Sequence, residues 1–212
     1  MENIVQPFLA LPRHGLAALG VLLLYAIQSE VRFGRRARTH FAGPSDRGST
    51  LIVSASSLVP VIGFVVVMKA PTVPMLRRLP DWLWSQHSLA GMPAPAWVGV
   101  GAGALGLLVR LWAVMMLKER YTRTLRVDEE HSIERGGPYR FVRHPGYLGS
   151  LLCLNGIALA TGNAFTLAAS LLATGVAYAY RIRIEDKMLV AAFGDPYELY
   201  RREVKAVVPY LW

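Results

Sequence analysis

The chain has 212 residues, 53% of them hydrophobic and 17% charged, with a formal net charge of +9 and a mean hydropathy of +0.34. That balance moves it out of the range of soluble domains and into that of integral membrane proteins. Lys and Arg cluster at the ends of apolar runs rather than along one face, which argues against nucleic acid as a partner, and a single cysteine, Cys153, inside an apolar run excludes both a disulfide framework and a cysteine metal site.

A bilayer core needs about 20 apolar residues per helix, and four or five runs qualify as candidates. The first covers about residues 15–31. It starts late and lacks a cleavage-like small-residue site, so it reads as a retained span rather than a signal peptide. Its exit, Arg32-Phe33-Gly34-Arg35-Arg36-Ala37-Arg38, is placed in the cytosol by the positive-inside rule. The second run covers about residues 51–68. Alternation then puts residues 69–96 outside, although Lys69, Arg77 and Arg78 oppose the rule; Trp82-Leu83-Trp84 and the surrounding prolines suggest a segment lying in the interface.

The third run, about residues 97–117, contains Gly101-Ala102-Gly103-Ala104-Leu105-Gly106. This matches the dinucleotide fingerprint in letters but lies inside an apolar 20-mer with no strand before it, so close helix packing through Gly99 and Gly103 is the expected use. Arg110 sits seven residues from the inner end at Leu117, about 10 Å along the axis. Snorkelling to the interface and facing the bundle interior both fit.

Residues 118–143 return to the cytosol. Within them, residues 128–134 read as a solvated loop, since His131 beside Glu129 and Glu130 lacks the spacing of a zinc site; no metal is expected. Gly136-Gly137-Pro138 cannot continue a helix and makes a turn that exposes backbone N–H groups. Pro145 pushes His144 out of the helical region and starts the next helix as its first residue. A helix N-terminus binds anions, and this one arrives with Arg143 and His144 just before it. The plain alternative is a basic cluster of Arg140, Arg143 and His144 on lipid phosphates.

Residues 146–160 and 164–180 follow, separated by Thr161-Gly162-Asn163, which permits only a helical hairpin. The first of the pair is short for a span. The second ends in Arg181-Ile182-Arg183-Ile184-Glu185-Asp186-Lys187, where the arginines can anchor the helix at the interface and Glu185 can pair with a neighbour. The hairpin sets this stretch opposite the Arg-His-Pro turn. Residues 188–193 read as an amphipathic helix broken at Gly194-Asp195-Pro196, after which Tyr197, Tyr200 and Val204 share one helical face. Five spans give an external N-terminus and a cytosolic C-terminus.

Gly137-Pro138-Tyr139, Arg143-His144-Pro145-Gly146-Tyr147-Leu148-Gly149, the hairpin, Glu185-Asp186-Lys187-Met188-Leu189, Phe193-Gly194-Asp195-Pro196-Tyr197 and Tyr200-Arg201-Arg202 occur in that order. Together they resemble the isoprenylcysteine carboxyl methyltransferase family, over about residues 99–209. The resemblance implies an all-α integral membrane methyltransferase with an amphipathic C-terminal cytosolic segment. It divides the chain into an N-terminal two-span region, 1–96, and a methyltransferase core, 97–212. It further implies S-adenosylmethionine as cofactor, held in a cytosol-facing pocket by Arg143, His144, Pro145, Tyr147 and Gly149 with the acidic pair Glu185 and Asp186, under a roof made by the C-terminal segment. Asp186 departs from the second Glu usual in the family, which puts its role in question.

The residue chemistry points the same way. S-adenosylmethionine carries a carboxylate, an ammonium, a sulfonium, ribose hydroxyls and adenine. Arg143 and the helix start at Pro145 suit the carboxylate, and Glu185 the ammonium or ribose. Gly137 offers backbone donors, while Tyr139 and Tyr147 suit adenine or the sulfonium. Arg201 or Arg202 is expected to orient an anionic acceptor. The expected partners are the bilayer and a lipophilic or lipid-linked acceptor. An isoprenylcysteine carboxylate is the named family substrate, and phospholipid amines and small thiols are the alternatives in related enzymes. A non-catalytic binding or scaffold protein of the same fold is the competing class, against which Glu185 and Asp186 argue.

Overall fold

The computed structural model describes residues 11–30, 46–69, 80, 93–117 and 133–208. They form α1 (Arg13–Glu30), α2 (Ser49–Lys69), α3 (Pro93–Leu117), a 3-10 turn (Gly137–Arg140), α4 (Pro145–Ala160), α5 (Ala164–Phe193) and α6 (Asp195–Glu203). Among the described residues the only strand-like pairing is an isolated parallel bridge between Val142 and Lys205. The expected all-α architecture holds. Residues 32–38, Trp82, Trp84 and His131 lie outside the described residues.

Among the described residues three helices are long and apolar enough to cross a bilayer, within Ser49–Lys69, Ala94–Leu117 and Ala164–Phe193, while α1 and α4 are apolar but shorter. Leu24, Ile27, Leu51, Ile62, Val98, Leu108, Leu172 and Val176 stand exposed on these helices. Apolar side chains turned outward on a bundle whose backbone bonds are internal are the mark of a lipid-facing surface.

One boundary differs from expectation. The fifth run does not end at Tyr180; α5 runs on for 30 residues to Phe193. Nothing in Arg181-Ile182-Arg183-Ile184-Glu185-Asp186-Lys187 breaks a helix, and the first stop is Gly194, at φ +61, followed by Asp195-Pro196. At 1.5 Å per residue the helix is about 45 Å long against a hydrocarbon core of about 30 Å. Its last turns therefore project from the membrane and carry Glu185 and Asp186 with them.

The glycines of α3 act as expected in packing. A Cβ on Gly99 would lie 2.6 Å from the Gly156 carbonyl, and one on Gly106 would lie 2.5 Å from the Gly149 carbonyl. The two backbones thus interlock through Gly99, Gly103 and Gly106 on α3 and Gly149 and Gly156 on α4. Leu11, Ala18 and Val21 then meet Phe64, Val67 and Met68 of α2 and Cys153, Ile157 and Ala160 of α4 in one core. In the hairpin Gly162 takes φ +70, and the Asn163 side chain caps α5 by accepting from the Thr166 N–H at 2.8 Å. Asn155 bridges α4 to α5, donating to Thr174 Oγ1 (3.1 Å) and accepting from Ser170 Oγ (2.8 Å).

Candidate active site

The segment before α4 folds as its punctuation requires. Gly137 adopts φ +52, where a Cβ would crowd Met116 and the Trp112 indole nitrogen. Most donors of this turn are used locally: Gly136 N–H gives to Glu134 Oε1 (2.8 Å), Tyr139 N–H to the Gly136 carbonyl (3.0 Å), and Phe141 and Val142 N–H to the Pro138 carbonyl. Tyr139 lies along the inner end of α3, its hydroxyl 3.4 Å from the Ala113 carbonyl. His144 lies outside the helical region (φ −121, ψ 61) and Pro145 opens α4, as Pro145 predicts.

Around this opening a buried cluster forms. Asp186 is its hub: Oδ2 accepts from Arg143 Nη2 (2.9 Å), and Oδ1 accepts from the Tyr197 hydroxyl (2.6 Å) and lies 3.0 Å from His144 Nε2. Arg143 Nη1 donates to the carbonyls of Arg201 (3.2 Å) and Val204. The backbone adds two more ties, Arg143 N–H to the Lys205 carbonyl (2.8 Å) and His144 N–H to that of Ala206 (2.9 Å). The C-terminal segment is thereby stitched over the start of α4. Burial first, and then the Asp186 charge, raise the Tyr197 phenol far above its ordinary pKa, so Tyr197 stays a donor to that carboxylate.

Glu185 stands apart from this hub, in which the Arg143 Nε is also buried without a hydrogen-bond partner. The Glu185 Oε2 is buried without a hydrogen-bond partner, 3.5 Å from His144 Nδ1. At that distance the contact supplies no hydrogen bond, and the Glu185 oxygen lacks a donor that a ligand could bring. Beside it the Tyr147 ring stacks on His144, with centroids 5.4 Å apart and planes 11° apart, and meets Tyr178 at 58°.

A second network, not foreseen from the sequence, lies behind Tyr147. Arg181, 5% exposed, donates through Nε to the Tyr147 hydroxyl (2.7 Å). Its Nη1 donates to Thr50 Oγ1 (2.9 Å), Ser49 Oγ (3.0 Å) and Asp46 Oδ1 (3.3 Å). Asp46 is fully buried and also accepts from the hydroxyls of Ser49 and Thr50 and from the Thr50 N–H. Burial alone would raise the Asp46 pKa; the Thr50 and Ser49 bonds and the Arg181 charge outweigh it and hold the carboxyl below its ordinary value. The interface-anchor role envisaged for Arg181 does not hold. Asp-x-x-Ser-Thr ahead of an apolar run was the available signal for a helix start at Asp46.

The remaining expected residues divide. Arg143, His144, Pro145, Tyr147, Glu185 and Asp186 come together. Gly149 does not join them: a Cβ there would lie 2.6 Å from the Gly106 carbonyl, so it serves helix packing. Gly137 and Tyr139 sit against the end of α3. Arg201 pairs with Glu198 at 3.2 Å, both more than a third exposed, and Arg202 is exposed; neither side chain reaches the cluster. Arg110 turns into the bundle, where Nη1 donates to Ser150 Oγ (2.8 Å) and the guanidinium lies over Tyr25 at 5.4 Å.

The cluster also passes a chemical test for S-adenosylmethionine. The orphan oxygen of Glu185 suits an ammonium or a ribose hydroxyl, and the Tyr147–His144 stack suits adenine or a sulfonium. Arg143 is engaged through Nη1 and Nη2 by two carbonyls and Asp186, while its Nε is buried without a hydrogen-bond partner and suits a ligand carboxylate.

Fold and cluster together define an all-helical, multi-span integral membrane protein with a polar site where α4 and α5 leave the apolar bundle. Residues 95–196 match the model of the phospholipid methyltransferase family. A probable protein-S-isoprenylcysteine O-methyltransferase of Oryza sativa subsp. indica is 29% identical over 118 residues, 55% of this chain and 62% of that protein. The protein-S-isoprenylcysteine O-methyltransferase of Schizosaccharomyces pombe is 29% identical over 52% of this chain and 48% of its own. The cobalt-zinc-cadmium resistance protein CzcN of Cupriavidus metallidurans is 32% identical over 54% and 47%. The chain spans about half to three fifths of the length of these relatives. Among solved structures, the eukaryotic intramembrane Ras methyltransferase ICMT superposes with a TM-score of 0.64 at 19% identity, over 96% of this chain and 70% of that one. The expected resemblance to the isoprenylcysteine carboxyl methyltransferase family is borne out by the match of residues 95–196 to the phospholipid methyltransferase model, by these relatives and by the shared fold.

Proposed function

We propose that the chain is an S-adenosylmethionine-dependent methyltransferase acting on a lipophilic or lipid-linked acceptor that enters from the bilayer. A carboxylate of an isoprenylcysteine-like molecule is the favoured acceptor, as the names of the rice and yeast relatives suggest. The observation that carries the proposal is the buried, unpartnered Glu185 Oε2 facing His144. A carboxylate oxygen left without a donor is unfavourable by about 1–3 kcal/mol or more, and a bound ammonium or hydroxyl would relieve it.

The cofactor supplies an electrophilic methyl on a positive sulfur. Bound in line with the acceptor, that methyl would be taken by the acceptor's lone pair, the carbon–sulfur electron pair staying with sulfur. A carboxylate acceptor becomes a methyl ester with no proton to remove. The protein has little covalent work to do: Glu185 and the Nε of Arg143 would hold the cofactor, the Tyr147–His144 stack would line its aromatic side, and the stitched C-terminal segment would exclude water. In this reading the site faces the cytosol, the N-terminus lies outside, and residues 97–212 form the core to which the first two helices are added.

Calorimetry with S-adenosylhomocysteine tests it. Wild type should bind; Glu185→Ala should weaken binding about tenfold or more, equivalent to about 1.4 kcal/mol. Absence of detectable heat with the wild type would sink the assignment. Transfer of labelled methyl into a lipid extract then identifies the acceptor as carboxylate, amine or thiol, and label confined to soluble small molecules would exclude entry from the bilayer.

A further inference from the structure

We propose that Asp46, in the N-terminal region outside the family-matched segment, is a positioning residue that keeps Glu185 available to the cofactor by holding Arg181. The inference rests on the methyltransferase assignment above. Arg181 and Glu185 stand four residues apart on α5, the spacing at which opposite charges on a helix pair most readily. Glu185 acts electrostatically on Arg181, yet Glu185 Oε2 has no hydrogen bond. The guanidinium is drawn the other way: Nη1 reaches Asp46, Ser49 and Thr50, and Nε is fixed on Tyr147.

The charges give this arrangement its purpose. Asp46, Glu185 and Asp186 face Arg143 and Arg181, three carboxylates against two guanidiniums, with His144 between Glu185 and Asp186. Asp186 is paired with Arg143 and Asp46 with Arg181. Glu185 is left with no guanidinium of its own, and its Oε2 accepts no hydrogen bond. A ligand with a sulfonium, an ammonium and one carboxylate carries a net positive charge and supplies what is missing. Without the Asp46 charge, the nearest anion for Arg181 is Glu185, and an internal ion pair would occupy the cofactor's place.

The test uses the full chain in detergent, with S-adenosylhomocysteine affinity by calorimetry and the melting temperature followed separately. Asp46→Asn should weaken binding about tenfold, and Asp46→Glu, which keeps the charge, should recover most of that loss. Asp46→Asn combined with Arg181→Gln should bind more tightly than Asp46→Asn alone, because no guanidinium remains to quench Glu185. A residue that merely props the fold would show no such recovery, so a double variant as weak as Asp46→Asn overturns the proposal. So does an Asp46→Asn protein that binds like wild type. Should Asp46→Asn fail to fold, Thr50→Val removes one hydroxyl shared by Asp46 and Arg181 and should weaken binding about threefold; unchanged affinity there counts against the proposal equally. Wild type that does not bind at all defeats the methyltransferase assignment itself, whereas wild-type binding with indifferent Asp46 variants defeats only this inference.

Discussion

Glu185 and Asp186 are adjacent carboxylates with opposite duties. Asp186 is engaged by Arg143, Tyr197 and His144; Glu185 Oε2 accepts no hydrogen bond and only approaches His144 Nδ1. Asp186→Asn should therefore lower stability, by about 3–5 kcal/mol as expected when one partner of a buried ion pair is removed, measured as a drop in melting temperature in detergent. Glu185→Gln should leave the melting temperature within a degree or two, on the order of 0.5 kcal/mol, while weakening S-adenosylhomocysteine binding. Equal thermal effects of the two would contradict this division. The sequence pattern located both carboxylates and the Arg143-His144-Pro145 turn, because glycine, proline and charge punctuate an apolar chain visibly. It did not show that the shorter Asp186 is the hub, or that Arg143 serves the C-terminal segment. Those roles depend on Tyr197 and the carbonyls of Arg201 and Val204, whose placement follows from the fold around α6.

Among elements, α3 and α4 are joined by backbone proximity. Gly156→Ala would put a Cβ 2.5 Å from the Gly103 nitrogen, and overpacking of this kind costs about 1–3 kcal/mol; the melting temperature reads it directly. The small-residue spacing at Gly99 and Gly103 announced such a contact. Its other half at Gly156 was hidden, since one helix's pattern does not name its partner. At α6, Tyr200 donates to the Tyr139 carbonyl at 2.5 Å. Burial pushes its phenol up to about 12, with Arg143 and Arg135 pulling the other way. The folded state thus holds this proton more tightly than the unfolded chain, whose phenols titrate near about 10. The stabilisation is complete below about pH 10 and is lost as the pH rises toward about 12. Melting temperatures across that window should fall more steeply for wild type than for Tyr200→Phe.

For the whole molecule, the core runs through both halves of the chain, from Leu11, Ala18 and Phe64 to Cys153 and Ile157, and Asp46 meets Arg181 across 135 positions. The fragment 97–212 alone should not bind S-adenosylhomocysteine, while co-expression with 1–96 should restore binding; calorimetry on both preparations decides. Composition and run length made the helical membrane architecture legible, because a bilayer imposes a length and an apolarity on each crossing. A contact between Asp46 and Arg181 leaves no such mark, since two distant residues share no periodicity.

The backbone ties from Arg143 and His144 to Lys205 and Ala206 bear on how the protein is made. The carbonyls that receive these groups are synthesised more than 60 residues after the donors. During insertion into the membrane Arg143 and Asp186 therefore stay hydrated and accessible, and the site cannot close before residue 206 has left the ribosome. Nascent chains arrested before residue 204 should be integrated into the bilayer yet incapable of holding a ligand, which makes assembly of the site a step separate from, and later than, assembly of the bundle.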